Sequence, residues 1–324
     1  MKKVIYEEFG NPVEVLKVVE MDQEVLTEGQ ARVDILRSPI NPSDLIQISG
    51  NYGVRPPLPA TAGNEGLGRV TEVNGKGIAV GQLVLVPAGV GTWVTEIVAD
   101  VRHLISMPEG DLDQLCMLMV NPATAQLLLT EFVDLKEGDW MIQSAANSAV
   151  GMYLVQLAKT RGVNVVSVVR RESAVADLKA VGADVVIVDG PDLAKDVKAA
   201  TGAKMKLAVD AVAGDTAGRL ADTLERGGTL VNYGGMSNQP SALGAAALIF
   251  NDVVVRGFWL VLWFEKASKE ERMGVYAALT QAVAKGELYA PIDKVFALDD
   301  IAEAARYSWA GGRSGKVLVA PNGI

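Results

Sequence analysis

Cysteine and histidine are almost missing from this chain. Its 324 residues contain one cysteine, Cys116, and one histidine, His103. A lone cysteine excludes disulfide bonds within the chain, and a structural zinc site normally needs four cysteine or histidine ligands. A Ser-His-Asp hydrolase would depend on His103, but no Gly-x-Ser-x-Gly turn is present to support one. We therefore predict no metal site and interpret both residues as structural or incidental.

Long apolar runs and an excess of positive charge are missing as well. The densest apolar stretch, Phe258–Phe264, is far shorter than the ~20 residues of a membrane-spanning helix. We interpret it as a buried strand and the residues that follow it. The formal charge of −9 argues against a nucleic-acid or anionic-membrane partner, because both need a basic face. The first residues alternate like a strand and show no leader, so we expect a cytoplasmic protein.

The hydrophobic pattern changes along the chain. In the first third, short alternating runs such as Ala31–Leu36 are separated by Gly, Pro and Asn, which predicts a β-rich, partly barrel-like domain. From Gly138 onward, apolar strands alternate with helical segments, which predicts a doubly wound parallel sheet covered on both faces. We thus predict an α/β protein whose β-rich domain comprises residues 1–119 and 265–324. A nucleotide-binding domain, residues 120–264, is inserted between them.

One turn in this second region has the composition of a phosphate-binding turn. The segment Ser144–Gly151 follows an apolar strand, opens a helix and consists mostly of small residues. Small residues let backbone N–H groups approach a pyrophosphate at a helix N-terminus. Only the last glycine of the Gly-x-Gly-x-x-Gly pattern is present. On this evidence alone, an ordinary strand-to-helix turn explains the segment equally well.

Two arginines at the end of the next strand indicate which cofactor is used. Enzymes that use NAD usually place an acidic residue ~20 positions after the turn, where it accepts a hydrogen bond from the ribose. Nineteen positions after Gly151 stands Arg170, followed by Arg171. Guanidinium groups at this place would bind a 2′-phosphate. We therefore predict NADPH as the cofactor. The alternative, that the two arginines only form a solvated helix cap, is less favoured.

Several motifs, taken in order, carry a family resemblance. The chain resembles the medium-chain dehydrogenase/reductase superfamily over essentially its whole length, and within it the zinc-free enoyl thioester reductases of fatty-acid metabolism. The resemblance implies a GroES-like catalytic domain with an inserted Rossmann domain. At Gly63–Gly66 zinc-dependent relatives carry a histidine ligand, whereas this chain has Asn64. The matching stretches are Ile40–Asp44, Gly50–Gly53, Gly63–Gly66, Gly91–Trp93, Val120–Ala125, Asn147–Ser148, Asn232–Met236, Leu248–Phe250 and Arg256–Leu260.

The resemblance implies roles for particular residues. Tyr52 matches the tyrosine that donates a proton to the substrate α-carbon; its alternative role is to pack against the wall of a cleft. Phenols stay protonated near neutral pH and suit such an acid. The positions that match NADPH contacts are Asn121, Thr124, Asn147, Ser148, Ala149, Val150, Arg170, Arg171, Tyr233, Gly234, Gly235, Met236, Phe258, Trp259, Leu260 and Lys316. Close relatives often have glycine at the position of Ala149.

Four residues are candidates for the pocket around the substrate and the nicotinamide, and one of them, Trp259, is also among the NADPH positions. Asn41 and Asn64 carry neutral amides in loops, suited equally to hydrogen-bonding the nicotinamide or to holding loop geometry. Trp259 and Trp263 flank the last strand of the nucleotide domain. Aromatic residues there usually belong to the core, and the alternative is a wall of the acyl pocket.

The expected activity is the NADPH-dependent reduction of the double bond of a 2-enoyl thioester, with hydride added at the β-carbon. Two rivals remain open: a zinc-free quinone or enone oxidoreductase and a noncatalytic NADPH-binding protein. Of the acyl carriers we favour CoA over acyl-carrier protein. The resemblance also implies a homodimer, and the apolar strand near Val253–Gly257 would pair with its copy and cover a sheet edge.

Overall fold

The computed structural model describes all 324 residues, and its elements are numbered along the chain. The strands are β1 (Lys2–Tyr6), β2 (Lys17–Glu20), β3 (Gln30–Pro39), β4 (Ala60–Thr61), β5 (Leu67–Asn74), β6 (Leu83–Leu85), β7 (Glu96–Asp100), β8 (Ile105–Ser106), β9 (Trp140–Gln143), β10 (Asn164–Val169), β11 (Val185–Val188), β12 (Met205–Asp210), β13 (Leu224–Asn232), β14 (Val254–Gly257), β15 (Ile292–Ala297) and β16 (Lys316–Ala320). The helices are α1 (Pro12–Val15), α2 (Pro42–Ile48), α3 (Leu112–Leu115), α4 (Asn121–Thr130), α5 (Ala149–Thr160), α6 (Val175–Ala180), α7 (Leu193–Thr201), α8 (Gly214–Ala221), α9 (Ala245–Ile249), α10 (Leu260–Lys266), α11 (Lys269–Ala284) and α12 (Ile301–Ala310).

The chain forms two compact units. The first unit comprises Met1–Val120 and Thr280–Ile324, and the second comprises Asn121–Leu279. The domain limits drawn from the sequence, 1–119 with 265–324 and 120–264, stay a prediction.

The first unit is built on antiparallel strands. Its large sheet has the order β15-β16-β3-β5-β6-β8, with β7 also paired to β3, and a small sheet has the order β2-β1-β4. Strand β3 shows why a sheet forms here: Ala31, Val33 and Ile35 are fully buried and alternate with the polar Arg32 and Asp34. This period of two places one face of the strand in the core. The short strands and the irregular β3–β5 register agree with the predicted barrel-like character.

The second unit is a doubly wound parallel sheet with the strand order β11-β10-β9-β12-β13-β14. Its central strands are buried on both faces; in β10, the five residues from Val165 to Val169 are all buried. The chain moves outward from β9 to β11 and then from β12 to β14. The strand order therefore reverses between β9 and β12, which is where such sheets bind ligands at the carboxyl ends of their strands. The predicted α/β architecture with a parallel sheet is confirmed.

The stretch Phe258–Phe264 corrects one expectation. The sequence predicted a buried strand here, but the strand β14 ends at Gly257, and Leu260–Lys266 forms the helix α10, which has no fully buried residue. Trp259 is the residue that precedes this helix. High hydropathy predicted burial correctly for the central strands and wrongly for this segment, which follows the edge strand. None of the helices has both the length and the apolar character needed to cross a bilayer.

Candidate active site

The phosphate turn begins at the carboxyl end of β9. Ser148 caps helix α5, and its hydroxyl accepts a hydrogen bond from the Gly151 N–H at 3.2 Å. A Cβ atom at Gly151 would lie 2.3 Å from the carbonyl oxygen of Ala146, so the turn accepts only glycine there. The first amides of the helix, those of Ala149 and Val150, have no acceptor within it and point out at its positive end. The turn thus has the geometry that a pyrophosphate requires.

The two arginines lie where the sequence predicted them. Strand β10 ends at Val169, and Arg170 and Arg171 follow it directly, the first exposed and the second half-buried. Because β9 and β10 are parallel neighbours, the arginines and the phosphate turn share one edge of the sheet. The positions that would face the adenosine ribose carry guanidinium groups and no carboxylate, which fits a 2′-phosphate.

The loop after β13 adjoins the phosphate turn. The phenol of Tyr233 is hydrogen-bonded to the side chain of Ser148, and burial raises the pKa of this phenol far above its usual value, so it stays protonated. The remaining residues of this predicted cofactor segment, Gly234, Gly235 and Met236, follow at the same edge of the sheet. The next segment predicted to contact the cofactor is Phe258–Leu260. It is held to β13 by the Phe258 N–H, which donates to the Asn232 carbonyl at 2.9 Å.

Two more predicted cofactor residues lie on helix α4. Asn121 and Thr124 are both buried, in the first turns of a helix that packs against α5. The remaining aromatic candidate, Trp263, is half-buried in α10 and meets the ring of Phe264 edge-on at a centroid distance of 5.6 Å. The second unit therefore gathers the phosphate turn, the arginines and the Tyr233 loop at one edge of its sheet.

The first unit contains a buried polar cluster made of Asn41, Asp44, Asn64, Glu65 and Lys316. Asn41 precedes helix α2, and its backbone N–H donates to the Asp44 carboxylate at 2.7 Å. The Asn41 amide donates to Glu65 at 2.7 Å, and its oxygen accepts from the Lys316 ammonium. The Asn64 amide donates to Asp44 at 2.7 Å. The two amides predicted for the pocket are thus held in one network with three ionisable groups.

Burial shifts the titration of all three ionisable groups. Desolvation raises the pKa of Asp44 to about 6 and that of Glu65 to about 8, and it lowers the pKa of Lys316 to about 8. The charge of Lys316 opposes both carboxyl shifts, and the Asn41 amide opposes that of Glu65. Burial thus favours the protonated form of the Glu65 carboxyl and the neutral form of the Lys316 amine, and the two groups titrate together.

Sequence reasoning missed Asp44 and Glu65 as site residues. Both stand inside matched motifs, Ile40–Asp44 and Gly63–Gly66, which also contain the two amides predicted for the pocket. Lys316 was predicted as an NADPH contact; the structure buries it to 6% exposure and places its ammonium on Asn41. Its contact with the cofactor stays a prediction.

Tyr52 lies in the loop that follows α2 and is half-buried. The loop begins with Gly50 at a φ of +80°, where a Cβ atom would come within 2.9 Å of the Phe9 side chain. The Asn51 N–H donates to the Ile46 carbonyl at 3.1 Å, which ties the loop back to the helix. The same helix begins at the Asn41 cap and carries Asp44, so one element connects the Tyr52 loop to two members of the polar cluster.

Two family models match the chain. The alcohol dehydrogenase GroES-like domain matches residues 27–109, and the zinc-binding dehydrogenase model matches residues 149–273. A β-rich unit of this kind, a Rossmann sheet with a phosphate turn, and amides in place of metal ligands define a zinc-free medium-chain dehydrogenase/reductase. The superfamily resemblance drawn from the motifs is thereby confirmed.

The relatives identify the family within this class. The human mitochondrial enoyl-[acyl-carrier-protein] reductase is 35% identical over 320 residues, covering 95% of this chain and 85% of that protein. The chain therefore belongs to the family of the enoyl-[acyl-carrier-protein] reductases.

Two solved structures are similar over 98% of the chain. The complex of Etr1p with NADP and crotonyl-CoA has a TM-score of 0.88, 30% identity and 99% coverage of its own chain. An enzyme described as an NADPH:quinone reductase from Bacillus thuringiensis has a TM-score of 0.89, 27% identity and 98% coverage.

Proposed function

We propose that this protein uses NADPH to reduce the carbon–carbon double bond of a 2-enoyl thioester. The observation that carries the proposal is the match, along nearly the whole chain, to a reductase solved with both NADP and crotonyl-CoA. The curated relatives named as enoyl reductases agree with it.

The second unit supports NADPH binding. The phosphate turn, closed by Gly151 and capped by Ser148, offers helix amides to a pyrophosphate. Arg170 and Arg171 would hold the 2′-phosphate, and the Tyr233–Met236 loop would lie against the nicotinamide half. Bound NADPH supplies the hydride that adds to the substrate β-carbon. These residues bind and orient the cofactor.

The first unit supplies the groups that act on the substrate. Hydride addition at the β-carbon leaves negative charge on the thioester oxygen, which hydrogen-bond donors must stabilise. The α-carbon then needs a proton, and we assign its delivery to the phenol of Tyr52. The amides of Asn41 and Asn64 are fixed by Asp44, Glu65 and Lys316, which leaves them little freedom to reorient. Trp259 and Trp263 are assigned to the wall of the acyl pocket.

Three finer assignments belong to the same proposal. The acyl carrier is CoA in preference to acyl-carrier protein, because a chain of net charge −9 disfavours an acidic protein partner. The chain pairs with a second copy through β14, whose four residues are exposed at the edge of the sheet; Etr1p, for comparison, forms a heterodimer with Etr2p. The cytoplasmic location stays a prediction, since the named relatives are mitochondrial.

The test follows NADPH oxidation with crotonyl-CoA and with a simple quinone in parallel, for the parent and for Tyr52→Phe. The proposal expects rapid turnover of crotonyl-CoA by the parent and a loss of about 100-fold or more in Tyr52→Phe, the usual size of a general-acid contribution. Tyr289→Phe, which removes a hydroxyl from a partly exposed tyrosine elsewhere, serves as the matched control and should react like the parent.

The second candidate function is that of a quinone or enone oxidoreductase, which the Bacillus structure favours through its TM-score of 0.89. This enzyme needs no acid for the α-carbon. Quinone turnover without crotonyl-CoA turnover, indifferent to Tyr52→Phe, would replace the proposed activity with this one. NADPH binding without turnover of any acceptor would indicate a noncatalytic binding protein.

A further inference from the structure

Asp210 is a fully buried carboxylate in the second unit that the proposed function does not use. It ends strand β12, on one side of the point where the strand order reverses, and Ser144 follows β9 on the other side. The Ser144 hydroxyl donates to Asp210 Oδ1 at 2.6 Å. The same hydroxyl accepts from the Ala211 N–H at 2.9 Å. One side-chain pair thus joins the two halves of the sheet at the crevice where a dinucleotide binds.

The Asp210 carboxylate is satisfied by neutral donors alone. Besides Ser144, it accepts from the N–H of Val212 at 2.9 Å, the N–H of Ala213 at 3.0 Å and the amide of Asn232 at 3.2 Å. No basic side chain forms an ion pair with it. A buried carboxylate is costly unless such donors hold it, so the arrangement strongly constrains the backbone that supplies them.

The constrained backbone contains a strained residue. Ala213 has φ +64° and ψ −153°, a conformation that is essentially reserved for glycine. Its N–H is the group bound by Asp210 Oδ2, and helix α8 begins at the next residue. A residue keeps such a conformation only where its surroundings determine it, and the Asp210 carboxylate is the group that binds the Ala213 N–H.

The same segment carries the loop assigned to the nicotinamide half of the cofactor. The Tyr233 N–H donates to the Asp210 carbonyl at 2.9 Å, and the Met236 N–H donates to the Ala211 carbonyl at 3.0 Å. The Ser237 N–H donates to the Val212 carbonyl at 2.9 Å. The position of the Tyr233–Met236 loop is therefore set by the turn that Asp210 holds.

We propose that Asp210, together with Ser144, is a positioning residue that fixes the Tyr233–Met236 loop for the nicotinamide half of NADPH, by holding the 211–213 turn in its strained form. The proposal rests on the proposed assignment of that loop to the cofactor. The adenosine half of the cofactor is assigned to Arg170 and Arg171, on the other side of the strand reversal. Loss of Asp210 should therefore weaken one half of the binding site and spare the other.

The test measures dissociation constants for NADPH and for 2′,5′-ADP, which carries only the phosphorylated adenosine half. In Asp210→Ala, the dissociation constant of NADPH should rise about tenfold or more, while that of 2′,5′-ADP should stay within about twofold of the parent. Asp210→Asn keeps an oxygen for the Ala213 N–H but sets an NH₂ group against the Val212 N–H, so it should restore only part of the NADPH affinity. Asp222→Ala, an exposed carboxylate at the end of α8, is the control and should bind both ligands like the parent.

A double variant separates positioning from general damage. Because glycine adopts the backbone conformation of Ala213 without strain, adding Ala213→Gly to Asp210→Ala should recover part of the NADPH affinity. Parental NADPH affinity in Asp210→Ala would overturn the proposal, and so would an equal loss of NADPH and 2′,5′-ADP that Ala213→Gly does not relieve. A parent protein that binds neither ligand would instead contradict the proposed cofactor.

Discussion

Each unit buries carboxyl groups near its candidate site, and the two units stabilise them in different ways. In the first unit, Asp44 and Glu65 are buried beside an ammonium, that of Lys316, and two amides. In the second unit, Asp210 is buried with a hydroxyl, an amide and two backbone N–H groups, without a cation. The first cluster is compensated by opposite charge and the second by the geometry of neutral dipoles.

The difference has consequences for what each cluster tolerates. A charge-compensated cluster depends on its proton count, so it responds to pH and to the removal of one charge. A dipole-compensated carboxylate depends on the number and direction of its donors, so it responds to the loss of the oxygen that accepts from any one of them. The charge-compensated cluster lies in the first unit, to which the proton chemistry is assigned. The dipole-compensated carboxylate lies in the second unit, which is assigned to bind and orient the cofactor.

The largest effect should come from removing the cation of the first cluster. Lys316→Met leaves two buried carboxyl groups without their positive partner, and the free energy of unfolding should fall by about 3–5 kcal/mol, as for other broken buried ion pairs. Denaturation by urea measures the change. The control, Lys285→Met at an exposed position, should change stability by less than about 0.5 kcal/mol. A loss of stability no larger in Lys316→Met than in Lys285→Met would contradict the charge compensation of the first cluster.

A smaller effect, dependent on pH, should follow from Glu65→Gln. Because burial raises the pKa of Glu65 from 4.5 to about 8, the folded protein binds more protons than the unfolded chain between these values, and the parent loses stability as pH rises through them. The glutamine variant lacks this loss, so its stability relative to the parent should increase by ~2 kcal/mol or more from pH 5 to pH 8. Urea denaturation at several pH values measures the slope. Parallel pH profiles for parent and variant would contradict the assignment, and Glu28→Gln, an exposed carboxyl, is the control.

The smallest effect should belong to the second cluster. Asp210→Asn keeps one oxygen, which still accepts from the Ala213 N–H, but its NH₂ group replaces the oxygen that accepts from Ser144 and from the Val212 N–H. We expect the free energy of unfolding to fall by about 1–2 kcal/mol, the cost of one buried N–H group that loses its acceptor. The same denaturation series measures it. A loss as large as that of Lys316→Met would show that the charge of Asp210, and not its hydrogen-bond pattern, stabilises the turn.

Local patterns predicted the second unit better than the first. The alternation of apolar strands and helices is local in sequence, and so is the interval from Gly151 to Arg170. Both patterns predicted the structure correctly, because parallel strands place their carboxyl ends at one edge of the sheet. The clusters are not local. Lys316 and Asn41 are 275 positions apart, and Ser144 and Asp210 are 66 positions apart, so no spacing rule joins them. The family motifs named Asn41, Asn64 and Lys316 without showing that they meet.

Edge position explains the remaining error. The stretch Phe258–Phe264 is as apolar as a central strand, but most of it lies in α10, which follows the edge strand β14, and Val261 and Leu262 are exposed. Hydropathy alone does not separate a surface that a partner would cover from one buried within its own chain.

The central claim is most directly tested by the fate of isotopic label in the product. Crotonyl-CoA would be reduced with deuterium-labelled NADPH in ordinary water, and in parallel with unlabelled NADPH in deuterated water, and the butyryl-CoA formed would be examined by NMR. We expect label from the cofactor at the β-carbon and label from the solvent at the α-carbon, with the formation of butyryl-CoA about 100-fold or more slower in Tyr52→Phe. The absence of butyryl-CoA, or cofactor label at any carbon other than the β-carbon, would contradict the proposed activity.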